Sequence, residues 1–182
     1  AESSTTNSIT LSGTITVNAS TNTSTGSISF VNGTCQCPDA NVNEIATIGS
    51  VTYTVVDDNT IQDKINNGNV NLCTTLVTTM GGLFRNSTLN LEINFWDTSN
   101  VTDMSYMFFR AIAFNQNIGN WDTSNVTDMS FMFDGGSTFN QDIGNWDTSA
   151  VTNFGRMFRN ASAFNQDLKS WCVSQFSTDS SG

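Results

Sequence analysis

WDTSNVTDMSYMF, Trp96 to Phe108, decides how the chain is read. It returns at Trp121–Phe133 with Phe131 in place of Tyr106, and again, more loosely, at Trp146–Phe158. The tryptophans Trp96, Trp121, Trp146 and Trp171 stand 25 residues apart. Self-similarity at a fixed period of this size marks a repeat architecture, in which each unit buries its apolar face against the next. Working backwards, LCTTLVTTMGGLFRN from Leu72 aligns with WDTSAVTNFGRMFRN from Trp146. Leu72–Phe95 is therefore a first, degenerate unit, one residue shorter than the others.

Within Trp121–Asn145 the apolar set is Trp121, Val126, Met129, Met132, Phe133, Phe139 and Ile143. Four of these fall at i, i+3, i+6 and i+7, the spacing of one helical face, with Thr127 as N-cap. The spacing of Ile143, Trp146 and Thr148 matches the strand of leucine-rich repeats. The expected fold is an α/β repeat solenoid: leucine-rich-repeat-like coils of a short strand near Trp-Asp-Thr-Ser, a short helix and a return loop, behind a β-rich N-terminal cap.

Four segments follow. Residues 1–34 read as a β-hairpin segment, with alternating apolar residues at Ser8–Val17 and a second strand at Ser27–Val31. Residues 35–71 read as an N-terminal cap: a hairpin turning at Gly49-Ser50, then a short helix from Ile61 to Ile65. The coils are 72–95, 96–120, 121–145 and 146–170, and residues 171–182 form a truncated C-terminal cap.

Composition bounds the function. The chain has 182 residues, a net charge of −10 and six basic residues scattered along it. That disfavours nucleic acid and anionic membranes as partners, since both require clustered Lys and Arg. No apolar run approaches the ~20 residues of a transmembrane helix. There is no histidine. No nucleophile stands beside a base, so no catalytic residue is expected.

Two columns of polar residues read as structural ladders. Asn115, Asn140 and Asn165, in the recurring Phe-Asn-Gln, are placed to satisfy loop backbone groups of the neighbouring coil. Asp97, Asp122 and Asp147 would lie about 5 Å apart at strand spacing. Such a column is a candidate for Ca²⁺. The favoured reading has each aspartate bonded within its own Asp-Thr-Ser turn, with no metal and no cofactor. The copies disagree at Tyr106, Phe131 and Arg156, and at Phe109, Asp134 and Arg159. These positions are the candidate binding surface.

Cys73 and Cys172 occupy one column in the first and last coils, about 19 Å apart at strand spacing. A disulfide requires Cα atoms within about 7 Å, so Cys73 is expected to pair with Cys35 or Cys37. No disulfide partner within these residues is then expected for Cys172, which leaves open an intermolecular bond or a cysteine beyond Gly182. A disulfide places the chain outside the cytoplasm.

FNQNIGNWDTSNVTDMSFMF, Phe114–Phe133, resembles the BspA-like surface-protein family of bacteria, in its branch with a repeat of about 25 residues. The lead-in TYTVVDDNTI and NVNLCTTLVT and the ending DLKSWCV are similar to that family too. The resemblance spans residues 46–175. It implies a leucine-rich-repeat-like fold, display on or secretion from the cell, adhesion or protein binding, and no catalytic residues. Two functions are therefore expected to compete. One is a non-catalytic cell-surface or secreted module for adhesion or protein interaction. The other is a structural subunit that polymerises head to tail into an extracellular fibre through its N-terminal strands and coil ends.

Overall fold

The computed structural model describes residues 28–173. The strand expected at residues 8–17 and the tail from residue 174 lie outside them. β1 (Ser29–Val31) and β2 (Thr34–Gln36) pair antiparallel. Asn32 and Gly33 join them at φ 50° and 87°. Two consecutive left-handed residues are what a tight type I′ hairpin turn demands, and Asn-Gly supplies them at least cost.

β3 (Ile45–Ile48) and β4 (Val51–Asp57) form a second antiparallel hairpin. The chain then crosses through α1 (Ile61–Asn66) to β5 (Leu72–Leu76), which pairs parallel to β4 with Val55 opposite Cys73. A disulfide joins Cys35 to Cys73, with Cα atoms 5.3 Å apart, and so ties the first hairpin to the sheet. Ile28, Ala40, Ala46 and Val55 pack around it. Phe30, Tyr53 and Phe95 close this small core edge to face.

Beyond β5 the expected α/β solenoid of leucine-rich-repeat-like coils does not form. Among the described residues the one helix, α1, precedes the repeats, and the two sheets have two and three strands. Within the repeats the ladder is reduced to isolated parallel bridges, Thr79 to Asp103, Asp103 to Asp128 and Asp128 to Asn153. These lie well past the Trp-Asp-Thr-Ser segment expected to be the strand.

The backbone shows why no helix forms. An α-helix sends each N–H along its axis to the carbonyl four residues back. Here the N–H groups of Met129, Phe131, Phe133 and Gly135 instead donate sideways to the carbonyls of Asn153, Gly155, Met157 and Arg159 in the next repeat. The intervening Met132, Asp134 and Gly136 donate three residues back, to Met129, Phe131 and Phe133. The segment is a chain of tight turns, and Phe131 and Gly135 sit left-handed at φ 58° and 74°. Val126, Met129, Met132 and Phe133 still all face inward, at 0% exposure. An i, i+3, i+6, i+7 pattern is common to both geometries.

Sideways bonding brings each buried ring onto its counterpart. Phe84, Phe108, Phe133 and Phe158 stack in steps of 5.5, 5.5 and 5.7 Å. Phe114, Phe139 and Phe164 form a parallel column at 6.0 and 5.9 Å. The indole N–H groups of Trp96, Trp121, Trp146 and Trp171 donate to the carbonyls of Val70, Ile93, Ile118 and Ile143. The length deficit of the first repeat falls between Phe84 and Asn90. Phe84 bonds to Met107 at the shorter offset, whereas Asn90 already meets Asn115, 25 residues on.

At the start of the stack a side chain replaces the repeat that is not there. The N–H groups of Thr102, Thr127 and Thr152 donate to the carbonyls of Thr78, Thr102 and Thr127. Thr78 has no preceding repeat, and its N–H and hydroxyl go to the Asp58 carboxylate at 2.7 and 2.6 Å. Burial pulls the Asp58 carboxyl upward, but hydrogen bonds from the Thr78 hydroxyl and from the N–H groups of Thr79 and Thr78 outweigh it and hold the group below its ordinary range. A lowered folded-state pKa stabilises above the unfolded value of about 3.9 and is lost as pH falls through the folded value. Wild type is therefore expected to lose melting temperature below about pH 4. Asp58→Asn should melt lower at neutral pH and show a shallower acid slope. Identical slopes in parallel melts would show that Asp58 does not cap the stack.

Candidate interaction surface

The polar columns are used inside the stack. The Asn140 N–H donates to Asn115 Oδ1 and the Asn165 N–H to Asn140 Oδ1, each at 2.9 Å. The column begins one step earlier than the repeated Phe-Asn-Gln shows, because Asn90 Oδ1 accepts from the Asn115 N–H. Asn100 and Asn125 of the repeat also serve the stack, donating side-chain N–H groups to the carbonyls of Thr75 and Ser99.

Oδ1 of Asp97, Asp122 and Asp147 accepts from the N–H of the serine two residues on. Bonds from Ser149 hold the Asp147 carboxyl below its ordinary range. Asp97 is buried, and its Oδ2 also accepts from the Thr75 hydroxyl. Thr98 and Thr123 point inward and donate to the carbonyls of Asp122 and Asp147. Among the described residues, no group of three or more Cys, Asp or Glu is gathered as a metal would require.

Cys37 is buried and carries no disulfide. Burial pushes its thiol up, against hydrogen bonds with Thr75. Cys172 is exposed in the last described repeat, where its carbonyl accepts from Thr148.

The positions at which the copies disagree behave differently. Tyr106 and Phe131 stack face to face, centroids 4.5 Å apart and planes within 8°. The Arg156 guanidinium lies over Phe131 at 5.5 Å, and that of Arg85 over Tyr106 at 5.1 Å. Arg85 also covers Phe109 at 5.0 Å, and Arg110 covers the same ring at 5.1 Å. Arg159 reaches across to Asp134, whose carboxylate is buried, at 2.7 Å. Four of the six basic residues, scattered in the sequence, are thereby gathered beside a file of rings. Arg85 and Arg110 lie outside the variable positions read from the sequence. The alignment puts Arg85 in the column of Phe109 and Arg159, and only the fold shows its head crossing to Tyr106.

The file stands on a strained column. Tyr106, Phe131 and Arg156 have φ of 57°, 58° and 59°, at the position where the first repeat has Gly82 at 73°. Bulky residues in the left-handed region are outliers. Each costs on the order of 1–3 kcal/mol, and such strain clusters at functional sites.

Residues 56–181 match the family model described as Mycoplasma protein of unknown function, DUF285. The chain belongs to this family. No curated protein and no solved structure matches the chain. The DUF285 match opens in β4 and runs through every repeat, so the whole file lies inside it, while β1, β2 and β3 lie before it. No helix among the described residues is long and apolar enough to cross a membrane.

Arg159→Ala would leave the Asp134 carboxylate buried without its cation. The expected cost is about 1–3 kcal/mol, read from chemical denaturation. A variant as stable as wild type would mean that water or another donor replaces Arg159.

Proposed function

We propose that this DUF285 protein is a non-catalytic module for adhesion or protein interaction, secreted or displayed at a cell surface, and that it binds a protein or cell-surface ligand through the arginine–aromatic file. One observation carries the reading: arginines and stacked rings converge on a strained column that glycine would occupy more cheaply. Three further points support it. The repeat resembles BspA-like surface proteins. The Cys35–Cys73 disulfide suits an oxidising compartment. The repeat carboxylates at Asp97, Asp122 and Asp147 are engaged in their own turns, as structural residues of the repeat would be. The reading calls for neither metal nor cofactor.

Beads carrying the full chain should be retained on one or more immobilised extracellular-matrix or serum proteins. The double variant Arg85→Ala, Arg156→Ala should lose about tenfold or more of that retention, since charge-assisted contacts are worth about 1.5–3 kcal/mol each. Equal retention of the two proteins would sink the reading.

One observation favours the fibre reading. In the last described repeat Phe158 and Trp171 are half-buried and Val173 is exposed, around an open hollow, whereas Phe133 and Trp146 one repeat earlier are covered. A second copy docking end to end would cover them. Sedimentation velocity should then show species that grow with concentration and fall back to monomer in Trp171→Ala. A single monomeric boundary at every concentration would eliminate this reading.

A further inference from the structure

We propose that the file is a receptor for a short, extended, acidic polypeptide segment, with carboxylates four residues apart held by Arg85 and Arg156. This specifies the partner of the interaction surface argued above and rests on that reading.

The argument begins with what the rings present. Tyr106 and Phe131 turn their faces to each other, and guanidinium groups cover the two outer faces. No ring face is left for a sugar or an apolar partner to stack on. Both rings are half-buried, so their edges form the accessible rim. An aromatic ring is negative on its face and positive along its edge. The guanidinium groups of Arg85 and Arg156 stand at the two ends of the ring pair, and each carries five N–H donors and no acceptor. Rim and donors therefore share one sign, and oxygen anions are the complementary group.

Spacing selects the shape of the partner. From Arg85 through the rings to Arg156 the steps are 5.1, 4.5 and 5.5 Å. An extended polypeptide advances about 3.3 Å per residue with alternating sides, so residues i and i+4 lie on one side about 13 Å apart. Carboxylates at those positions reach the two end arginines, and the side chain at i+2 rests on the ring edges.

Charge selects its length. The chain as a whole carries −10. A long polyanion would run past the file onto acidic surface, well within the screening distance of about 8–10 Å. A short acidic segment does not. Of the four arginines, Arg159 is already paired with Asp134, which leaves Arg85, Arg110 and Arg156 for the ligand.

The test uses purified full chain and a labelled eight-residue peptide with two glutamates four apart, measured by fluorescence anisotropy. The expected result is saturable binding that weakens with salt. It should be lost when both glutamates are glutamine, and fall about tenfold in Arg85→Ala and in Arg156→Ala. Arg156→Lys should not restore it, because an ammonium lacks the planar fork of donors that binds a carboxylate in two places. Lys169→Ala, whose ammonium pairs with Asp167, should bind as wild type does. Melting curves matching wild type show that the arginine variants are folded; a variant that melts early is replaced by the corresponding glutamine substitution.

Three results would overturn the proposal: equal binding of the glutamine peptide, undiminished binding by folded arginine variants, or a sulfated oligosaccharide that binds the file more tightly than the peptide. If the peptide fails while the arginine variants still lose bead retention, the partner chemistry is wrong and the surface stands. If retention is unchanged as well, the surface itself is wrong.

Discussion

The structure depends on where alternate backbone N–H groups point. In the first three repeats half of the donors in the turn segment leave sideways for the next repeat, and half close tight turns on their own. This satisfies buried backbone polarity, which every buried segment must do, without a long strand or a helix. It also imposes identity between copies. A sideways bond places each residue beside its counterpart, so a phenylalanine lands on a phenylalanine, and the indole N–H groups of Trp121, Trp146 and Trp171 reach the same carbonyl each time. The alternation requires left-handed residues at two positions per repeat, such as Phe131 and Gly135. The interaction surface grows from that requirement: Tyr106, Phe131 and Arg156 occupy the positions where the backbone reverses hand.

A ladder of this kind needs a defined first rung. β5 supplies it, held parallel to β4 by the crossover through α1 and tied to the first hairpin by Cys35–Cys73. Thr74 and Thr75 extend the ladder into the repeats by donating to Asp97. Asp58 completes the rung, its carboxylate taking the place of a carbonyl. Phe95 belongs to both cores, packing on Phe30 and Tyr53 on one side and on the repeat core on the other. The sheet and the repeats are thus joined by side chains and by disulfide as well as by chain connection.

Much of this was legible in the sequence. The period, the shortened first repeat, the inward set and the bonding of Asp122 to Ser124 all follow from residue type and spacing. The helix did not follow, because an apolar pattern with i, i+3 and i+7 members fits a run of tight turns equally well. The discriminating signal was the residues forced left-handed, and tyrosine and phenylalanine there give no warning as glycine does at Gly82. The strand was sought at Trp-Asp-Thr-Ser because leucine-rich repeats place it there; the matching segment of the first repeat is β5, whereas the later repeats carry only isolated bridges, at Asp103, Asp128 and Asn153. The arginine cluster was hidden for a third reason. Arg85, Arg110 and Arg156 lie in three different columns of the alignment, and a long side chain crosses between columns. Asn32-Gly33, by contrast, is a turn signal in plain sight, and it joins β1 to β2.

Trp96–Asn120 and Trp121–Asn145 share 18 of 25 residues, and that likeness has a genetic consequence. Stretches of gene this alike invite unequal recombination, and the unit exchanged is one full period. Adding or deleting it preserves every hydrogen-bond offset, because each repeat contacts its neighbours through the same positions. The product would differ by one rung in length and by one ring in the exposed file. Reach and recognition can therefore change together in a single inherited event, while the disulfide-bonded sheet that starts the stack is left untouched.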